Sequence, residues 1–356
     1  MKLIEKIYSW DNLLNAYFHA CNRKWYRDDV TFFSAHMEEK LIEIQNELIY
    51  GTYTVGKYRQ FYVKYPKKRL VMALGFKDRI VQWAIYLQVN EYLDNQMIYH
   101  SYGCRIGKGT TWAAERLQYW CTHVHRKPEQ WYYLKMDISK YFYRVDHRVL
   151  MDILKRKFEG EDEFLRLMDV IINCDHTPFG LPPGVNCNDI DPEDRLYEVG
   201  MPIGNLTSQL MANVCLNELD QFVKHELHAH YYIRYMDDMI ILSNDTDQLR
   251  YWLRNIEDFL DINLHLTLNS KTTIGRVESG ITFVGCTIYP GYRKITREAA
   301  RRMKKRMLHA LRRYQAGYID DEDFDNIMSS YLGQMKYCDC NNLIDWMIEE
   351  IFNVLP

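Results

Sequence analysis

Residues 231–243 read YYIRYMDDMIILS. Aromatic and apolar residues stand on both sides of two adjacent aspartates, Asp237 and Asp238, which predicts a strand, a tight turn and a second strand. Ordinary hairpin tips favour Asn-Gly or Asp-Gly. Two neighbouring carboxylates at a tip repel each other, and a divalent cation offsets that cost. Mg²⁺ suits such a place, because it takes hard oxygen ligands from few protein carboxylates and leaves room for water and substrate phosphates.

Working outward, Asp137 in LKMDISKYF (134–142) ends another apolar strand. Three carboxylates from two neighbouring strand ends are what a pair of metals about 3.5–4 Å apart requires for nucleotidyl transfer. The plainer reading of any one aspartate is a turn residue.

The rest of the chain sets the frame. With 356 residues, of which 47% are hydrophobic and 26% charged, it is long enough for two or three packed subdomains and is not disordered. The net charge of −3 conceals an uneven spread. Residues 57–79 carry eight Lys/Arg against one acid, and residues 293–313 carry ten against one. Two such segments fit two surfaces that grip a polyanion, or else two solvated faces. The high aromatic content, 14%, suits stacking on bases but also simple core filling. Nine cysteines without pairing pattern read as reduced thiols in a cytosol. Cys338-Asp-Cys340 has the wrong spacing for a zinc knuckle. The opening KLIEKIYSWDNLL is too charged for a signal peptide, and no apolar run is long enough to span a membrane.

Residues 1–50 are expected to be mostly amphipathic helix, 53–74 strands and 76–95 helix. A strand and turn are expected over 131–143, a helix over 146–158, a long irregular insertion over 173–203 and a helix over 206–229. A hairpin turned at Pro290-Gly291 should span 281–295. A helix over 296–316 should follow, with Thr296 as N-cap and Gly317 beyond its end. Asp189, Asp191, Glu193 and Asp194 lack the glycine and closing glutamate of a calcium loop, so they read as a solvated acidic loop. Strands and helices mix without a βαβ rhythm, which indicates α+β. In GMPIGNLTSQL (200–210), Thr207 or Ser208 is expected to cap a helix.

Tyr-X-Asp-Asp in this setting resembles the catalytic hairpin of reverse transcriptases, and the likeness continues in order along the chain. KKRLVMALGFKDRIVQ (67–82) resembles their first fingers motif, SYGCRIGKGTTWAA (101–114) the second, and MDISKYF supplies the first catalytic aspartate. IGNLTSQ (203–209) matches the fourth block, LHLTLNSKT (264–272) the sixth, and ITFVGCTI (281–288) the primer-grip hairpin. The resemblance implies a right-hand polymerase fold with fingers, palm and short helical thumb. It divides the chain into an N-terminal helical extension (1–56), fingers (57–130), palm (131–290) and thumb (291–356).

The resemblance also assigns residues. Asp137, Asp237 and Asp238, with the main-chain oxygen of Ile138, would hold two Mg²⁺ ions, with Mn²⁺ as a substitute in vitro. Arg69 and Lys68 would hold the incoming triphosphate. Phe142 would lie under the sugar and exclude a ribose 2′-hydroxyl, whereas Tyr141 reads better as core. Ile203, Gly204, Gln209 and Lys271 complete the dNTP site. Arg105, Lys108, Tyr235, Met236, Phe283, Gly285, Arg301, Lys304 and Lys305 would contact primer and template. GCRIGKGT is not a P-loop, since three residues rather than four separate its glycines.

The fourth block narrows the resemblance. Most reverse transcriptases carry Gln-Gly, three residues, then Ser-Pro; here Ile203 replaces the Gln and Gln209 the Pro. That pattern is similar to the enzymes of diversity-generating retroelements of bacteria and phages. Their size, their short thumb and their lack of fused RNase H, integrase or maturase domains agree. The resemblance implies error-prone, adenine-mutagenic cDNA synthesis from a template-repeat RNA in the bacterial cytoplasm. The partners would be template RNA, cDNA, dNTPs and a small basic oligomeric accessory variability protein. The alternatives are a retron or phage-defence reverse transcriptase, or an RNA-binding scaffold with a silent site.

Overall fold

A computed structural model describes residues 1–63, 69–174, 178–182, 184–185, 190–191 and 194–352. In chain order the elements are α1 (Leu3–Ile7), α2 (Trp10–Cys21), α3 (Asp28–Ala35), α4 (Met37–Ile49), β1 (Arg59–Val63), β2 (Arg69–Ala73), α5 (Phe76–Asp94) and α6 (Thr110–His125). Then come β3 (Tyr132–Asp137), α7 (His147–Lys157), α8 (Asp162–Ile172), α9 (Leu206–His225), β4 (Tyr231–Tyr235), β5 (Asp238–Ser243) and α10 (Thr246–Leu264). The last are β6 (Thr273–Arg276), β7 (Ile281–Phe283), β8 (Cys286–Tyr289), β9 (Tyr292–Ile295), α11 (Arg297–Gln315), α12 (Asp321–Met335) and α13 (Asn341–Phe352). The chain forms two compact units.

The first unit holds residues 1–99, 137–228 and 254–270. Helix α5 packs against both α2 and α9, so it buries residues around most of its circumference, including Ile80, Val81, Ala84, Ile85 and Val89. Two-sided burial explains its weak amphipathic pattern. Its buried Asp78 accepts a hydrogen bond from Tyr53 Oη at 2.8 Å and one from the Gly56 amide at 3.3 Å, which fixes the approach to β1. Strands β1 and β2 form an antiparallel hairpin with Val63 opposite Arg69.

The insertion over 173–203 has no described helix, but backbone hydrogen bonds pin it. Gly180 and Leu196 exchange bonds of 2.9 and 3.1 Å, and the Gly200 amide donates to Val145 O at 2.8 Å. Asp189 and Glu193 of the expected acidic loop lie outside the described residues.

The second unit holds residues 100–136, 229–253 and 271–356. One sheet has the strand order β4-β5-β3-β6, and a second has β7-β8-β9. Helix α6 fills the space between them with Ala113, Leu117, Trp120, Cys121 and Val124, against Ile233 and Ile240 on one side and Ile281, Phe283 and Ile288 on the other. The expected hairpin over 281–295 is three strands. The Pro290-Gly291 turn joins β8 to β9, and a second two-residue turn, Val284-Gly285, joins β7 to β8. Both residues of that second turn have positive φ, +44° and +86°. Val there is contrary to ordinary turn chemistry and hides the turn from sequence patterns.

Helix α11 starts as expected, with Thr296 Oγ1 accepting from the Ala299 amide, and Gly317 follows its end at φ +69°. Met303, Met307 and Leu311 of α11 meet Phe324, Met328 and Met335 of α12 and Leu343 and Met347 of α13 in a separate methionine-rich core.

Candidate active site

The sequence-predicted site residues fall in both units, and each set has its own supports. In the second unit, β4 and β5 pair from Tyr231↔Leu242 to Tyr235↔Asp238, so Met236 and Asp237 form a two-residue tip. Met236 has φ +54°, a strained value for a residue with a side chain. Buried Tyr232, Ile233, Ile240 and Ile241 anchor the strands below the tip. Arg234, fully buried, donates from Nη1 to Met236 O at 3.1 Å. Its own backbone is bonded to the segment at 100–102: Arg234 N donates to His100 O at 3.0 Å, and Tyr102 N donates to Arg234 O at 2.9 Å.

Gly103 follows that segment. A Cβ there would meet Met236 Cγ at 2.6 Å and Met236 N at 2.7 Å. The glycine of the SYGC motif therefore makes room for the aspartate-bearing tip. Arg105 braces the same loop by donating to Ser101 O at 2.9 Å, and Lys108 Nζ lies 5.1 Å from the centre of the Tyr102 ring.

Lys135, on β3, donates to Thr282 O at 2.6 Å and places its ammonium 3.4 Å from Asp238 Oδ2. Both side chains are about three-quarters buried, where charge interactions are less screened than in water. Tyr235 is half-buried; burial raises its phenol above the ordinary range, with a smaller contribution from Cys104. Phe283 is buried opposite Cys286, and Lys271 is exposed before β6. On α11, Arg301 and Lys305 are exposed, while Lys304 Nζ sits 4.1 Å over the Trp346 ring.

In the first unit, Asp137 closes β3. Its main-chain oxygen accepts from the Asn269 amide at 2.7 Å, and its Oδ2 accepts from Asn269 Nδ2 at 3.1 Å. Ile138 is buried and bridges to Leu268. Phe142 is partly exposed, and its carbonyl accepts from Met201 N at 2.6 Å. Tyr141 is core, with its hydroxyl donating to Ala212 O at 2.6 Å. Lys68 lies outside the described residues.

The fourth block is docked on the β1-β2 hairpin. Met72 N of β2, the strand that begins at Arg69, donates to Ile203 O at 3.0 Å. Gly204 has φ +122°, and a Cβ there would meet Met72 O at 3.1 Å and Val71 Cγ1 at 3.3 Å. The close approach that needs this glycine is thus to β2. The expected cap is corrected: Thr207 and Ser208 are buried inside α9, and Asn205 holds the cap position. Asn205 turns its amide to Tyr58 Oη at 2.8 Å, while Gln82 Oε1 accepts from the Leu206 amide at 3.0 Å. A side chain from α5 thereby satisfies an end that the helix's own residues leave open.

Gly204, Asn205 and Gln209 open onto a cavity of about 850 Å³ that also exposes Lys24, Arg27, Lys57, Arg59 and Arg79. Asp28 and Asp29 offset only part of this charge. Burial, with Arg79 and Arg27 nearby, lowers the Lys24 pKa. Burial also lowers that of Arg79, although Asp29 accepts from its Nη2 at 2.6 Å and opposes the shift. Tyr26, Phe61 and Trp83 stand on the wall. Cations and flat rings around one concavity suit a single-stranded polyanion. Lys24 and Arg27, from the connection between α2 and α3, were no part of the sequence expectation.

The family model described as reverse transcriptase (RNA-dependent DNA polymerase) matches residues 63–288, more than half of the chain. The chain belongs to the reverse transcriptase family. Among curated relatives, Protein YkfC of Escherichia coli K12 is 26% identical over 292 residues, covering 72% of this chain and 72% of that protein. Among solved structures, apo telomerase from Candida tropicalis superposes with a TM-score of 0.51 at 12% identity, covering 83% of this chain. The chain spans 62% of that telomerase, and the likeness establishes the shared fold. No helix among the described residues is long and apolar enough to cross a membrane. Nor do three or more His, Cys, Asp or Glu side chains among them gather as a metal-holding group. The donors themselves, carboxylate and carbonyl oxygens, suit a hard divalent cation. The Lys135 ammonium beside Asp238 is a positive charge that carboxylate already accepts.

Proposed function

We propose that this reverse transcriptase is an RNA-directed DNA polymerase of the diversity-generating type, copying a template-repeat RNA into adenine-mutagenic cDNA. The observation that carries the polymerase reading is the strained Met236-Asp237 tip, held by Arg234 and accommodated by Gly103. Strain kept at an acidic tip by several independent supports is the mark of a positioned site. Asp137, Asp237 and Asp238, with Ile138 O, would hold two Mg²⁺ ions, which supply activation of the primer hydroxyl and neutralisation of phosphate charge.

The chain's own residues do the positioning. Asn269 orients Asp137, and Lys135 offsets the charge of Asp238. Arg69 meets the triphosphate, Phe142 excludes the 2′-hydroxyl, and the basic cavity beside Gly204 and Gln209 receives the template strand. Arg105, Lys108, Tyr235, Gly285 and the basic face of α11 grip the nucleic acid, Phe283 supports that turn from the core, and Lys271 belongs to the dNTP site.

The diversity-generating reading rests on Ile203 and Gln209. A glutamine at 203 would offer hydrogen bonds that restrain the nucleotide and templating base; a branched apolar side chain offers none. A small basic accessory variability protein is the proposed partner, in the bacterial cytoplasm. The test is extension of a DNA primer on RNA with Mg²⁺ and dNTPs, followed by sequencing of the product. Errors concentrated opposite template adenine support the reading, and an even error spectrum refutes the diversity-generating part.

A further inference from the structure

Three cysteines lie together in the second unit, next to the Val284-Gly285 turn. Cys286 on β8 and Cys338 in the turn after α12 are 52 positions apart, yet their sulfurs stand 3.4 Å from each other. Cys340 points elsewhere, with its Sγ 3.3 Å from both Met335 O and Cys338 O. Beside the pair is Arg293 of β9, only 7% exposed. Its Nε donates to Tyr337 O, and its Nη2 lies 3.3 Å from Glu115 Oε1. Its Nη1 is buried with no hydrogen-bond partner. A cavity of about 350 Å³ lined by Cys286, Cys338, Arg293, Gln334 and Tyr337 gives small molecules a way in.

These surroundings differentiate the two thiols. The hydrogen bond from Cys286 lowers the Cys338 pKa to about 7 against the opposing effect of burial, and the Arg293 charge helps. The same bond and burial push Cys286 up. A thiolate beside a guanidinium is the nucleophile of thiol exchange, and a thiol within reach is its resolving partner.

We propose that Cys286 and Cys338 form a modification site: a dithiol that a small-molecule disulfide converts into an intramolecular disulfide joining β8 to the α12–α13 turn. The Cys338 thiolate attacks one sulfur of the oxidant and expels one thiolate. Cys286 gives up its proton to that departing thiolate, attacks Cys338 Sγ and expels the second. The two protein thiols lose two electrons, and the oxidant is reduced to two thiols. The bond closes a long loop and so limits the freedom of α12 and α13 relative to the β7-β8-β9 sheet. The inference stands apart from the polymerase reading.

The test exposes the full, reduced chain to oxidised glutathione and maps its peptides without reduction. The expected product is a Cys286–Cys338 cross-linked peptide, reversed by dithiothreitol, formed equally by Cys340→Ser and absent from Cys338→Ser. Three results would overturn the proposal: glutathione retained on Cys338 without a cross-link, a Cys338–Cys340 product instead, or unreacted Cys286 and Cys338 while the exposed Cys104 reacts.

Discussion

Replacing Gly103 by alanine tests how the aspartate tip is positioned. The new Cβ would fall 2.7 Å from Met236 N and 2.6 Å from Met236 Cγ, whereas ordinary contact begins near 3.4 Å. The side chain of Met236 can turn away, but its backbone nitrogen cannot, so the tip must yield by about 0.7 Å. Overpacking of this kind costs about 1–3 kcal/mol of stability. Displacing reacting groups by about 1 Å costs about 100-fold in rate, so single-turnover primer extension should slow roughly 10- to 100-fold. Equilibrium urea unfolding, read alongside, separates a shifted tip from an unfolded chain. Gly107→Asn is the comparison: Gly107 has φ +70° and nothing within 4 Å of a Cβ, so this variant should extend primers at the parental rate. Parental extension by Gly103→Ala would refute the claim that Gly103 positions the tip.

Other consequences are equally direct. Ile203→Gln should lower misincorporation opposite template adenine, read by sequencing the cDNA; an unchanged spectrum contradicts the role given to Ile203. Phe142→Ala should admit ribonucleotides, whereas Tyr141→Phe should leave sugar selection alone and cost about 0.5–1.5 kcal/mol by removing one hydrogen bond to Ala212 O inside α9. Competition between dNTP and rNTP, with unfolding curves, distinguishes them. Asp146 caps α7 through the Arg148 and Val149 amides and accepts from His265 Nδ1 at 2.9 Å. Burial pushes its carboxyl up, but His265 and the two amides outweigh that and hold it below the usual range. A depressed carboxyl stabilises the fold above its unfolded pKa, near 4, and that stability is lost as pH falls through the folded value. The stability gap between the parent and Asp146→Ala should therefore shrink as the pH falls below about 4.

What could be read from sequence was local. The apolar strands around Asp237-Asp238 announce their hairpin through composition alone, and Thr296 and Gly317 mark both ends of α11. Helix α10 carried a usable signal in Leu249, Trp252, Ile256, Leu260 and Leu264, spaced three or four apart, and was missed. The supports of the site carried no such signal. Gly103, Arg234, Lys135 and Asn269 matter because the fold brings distant segments to the aspartates or their flanks. Nothing in SYGCRIGKGT shows which of its three glycines faces a hairpin more than a hundred positions later. The cap of α9 failed for a similar reason: the helix begins earlier, at Leu206, and Gln82 of another helix accepts from that first amide.

The most direct measurement is template-dependent incorporation on a primed RNA by the purified chain in Mg²⁺, compared with Asp237→Asn at equal RNA occupancy. The parent should extend the primer, and the variant should bind RNA normally while losing roughly a thousandfold in rate, equivalent to about 4 kcal/mol. Equal extension by both proteins, or none by a parent that binds the RNA, would contradict a polymerase built on this hairpin.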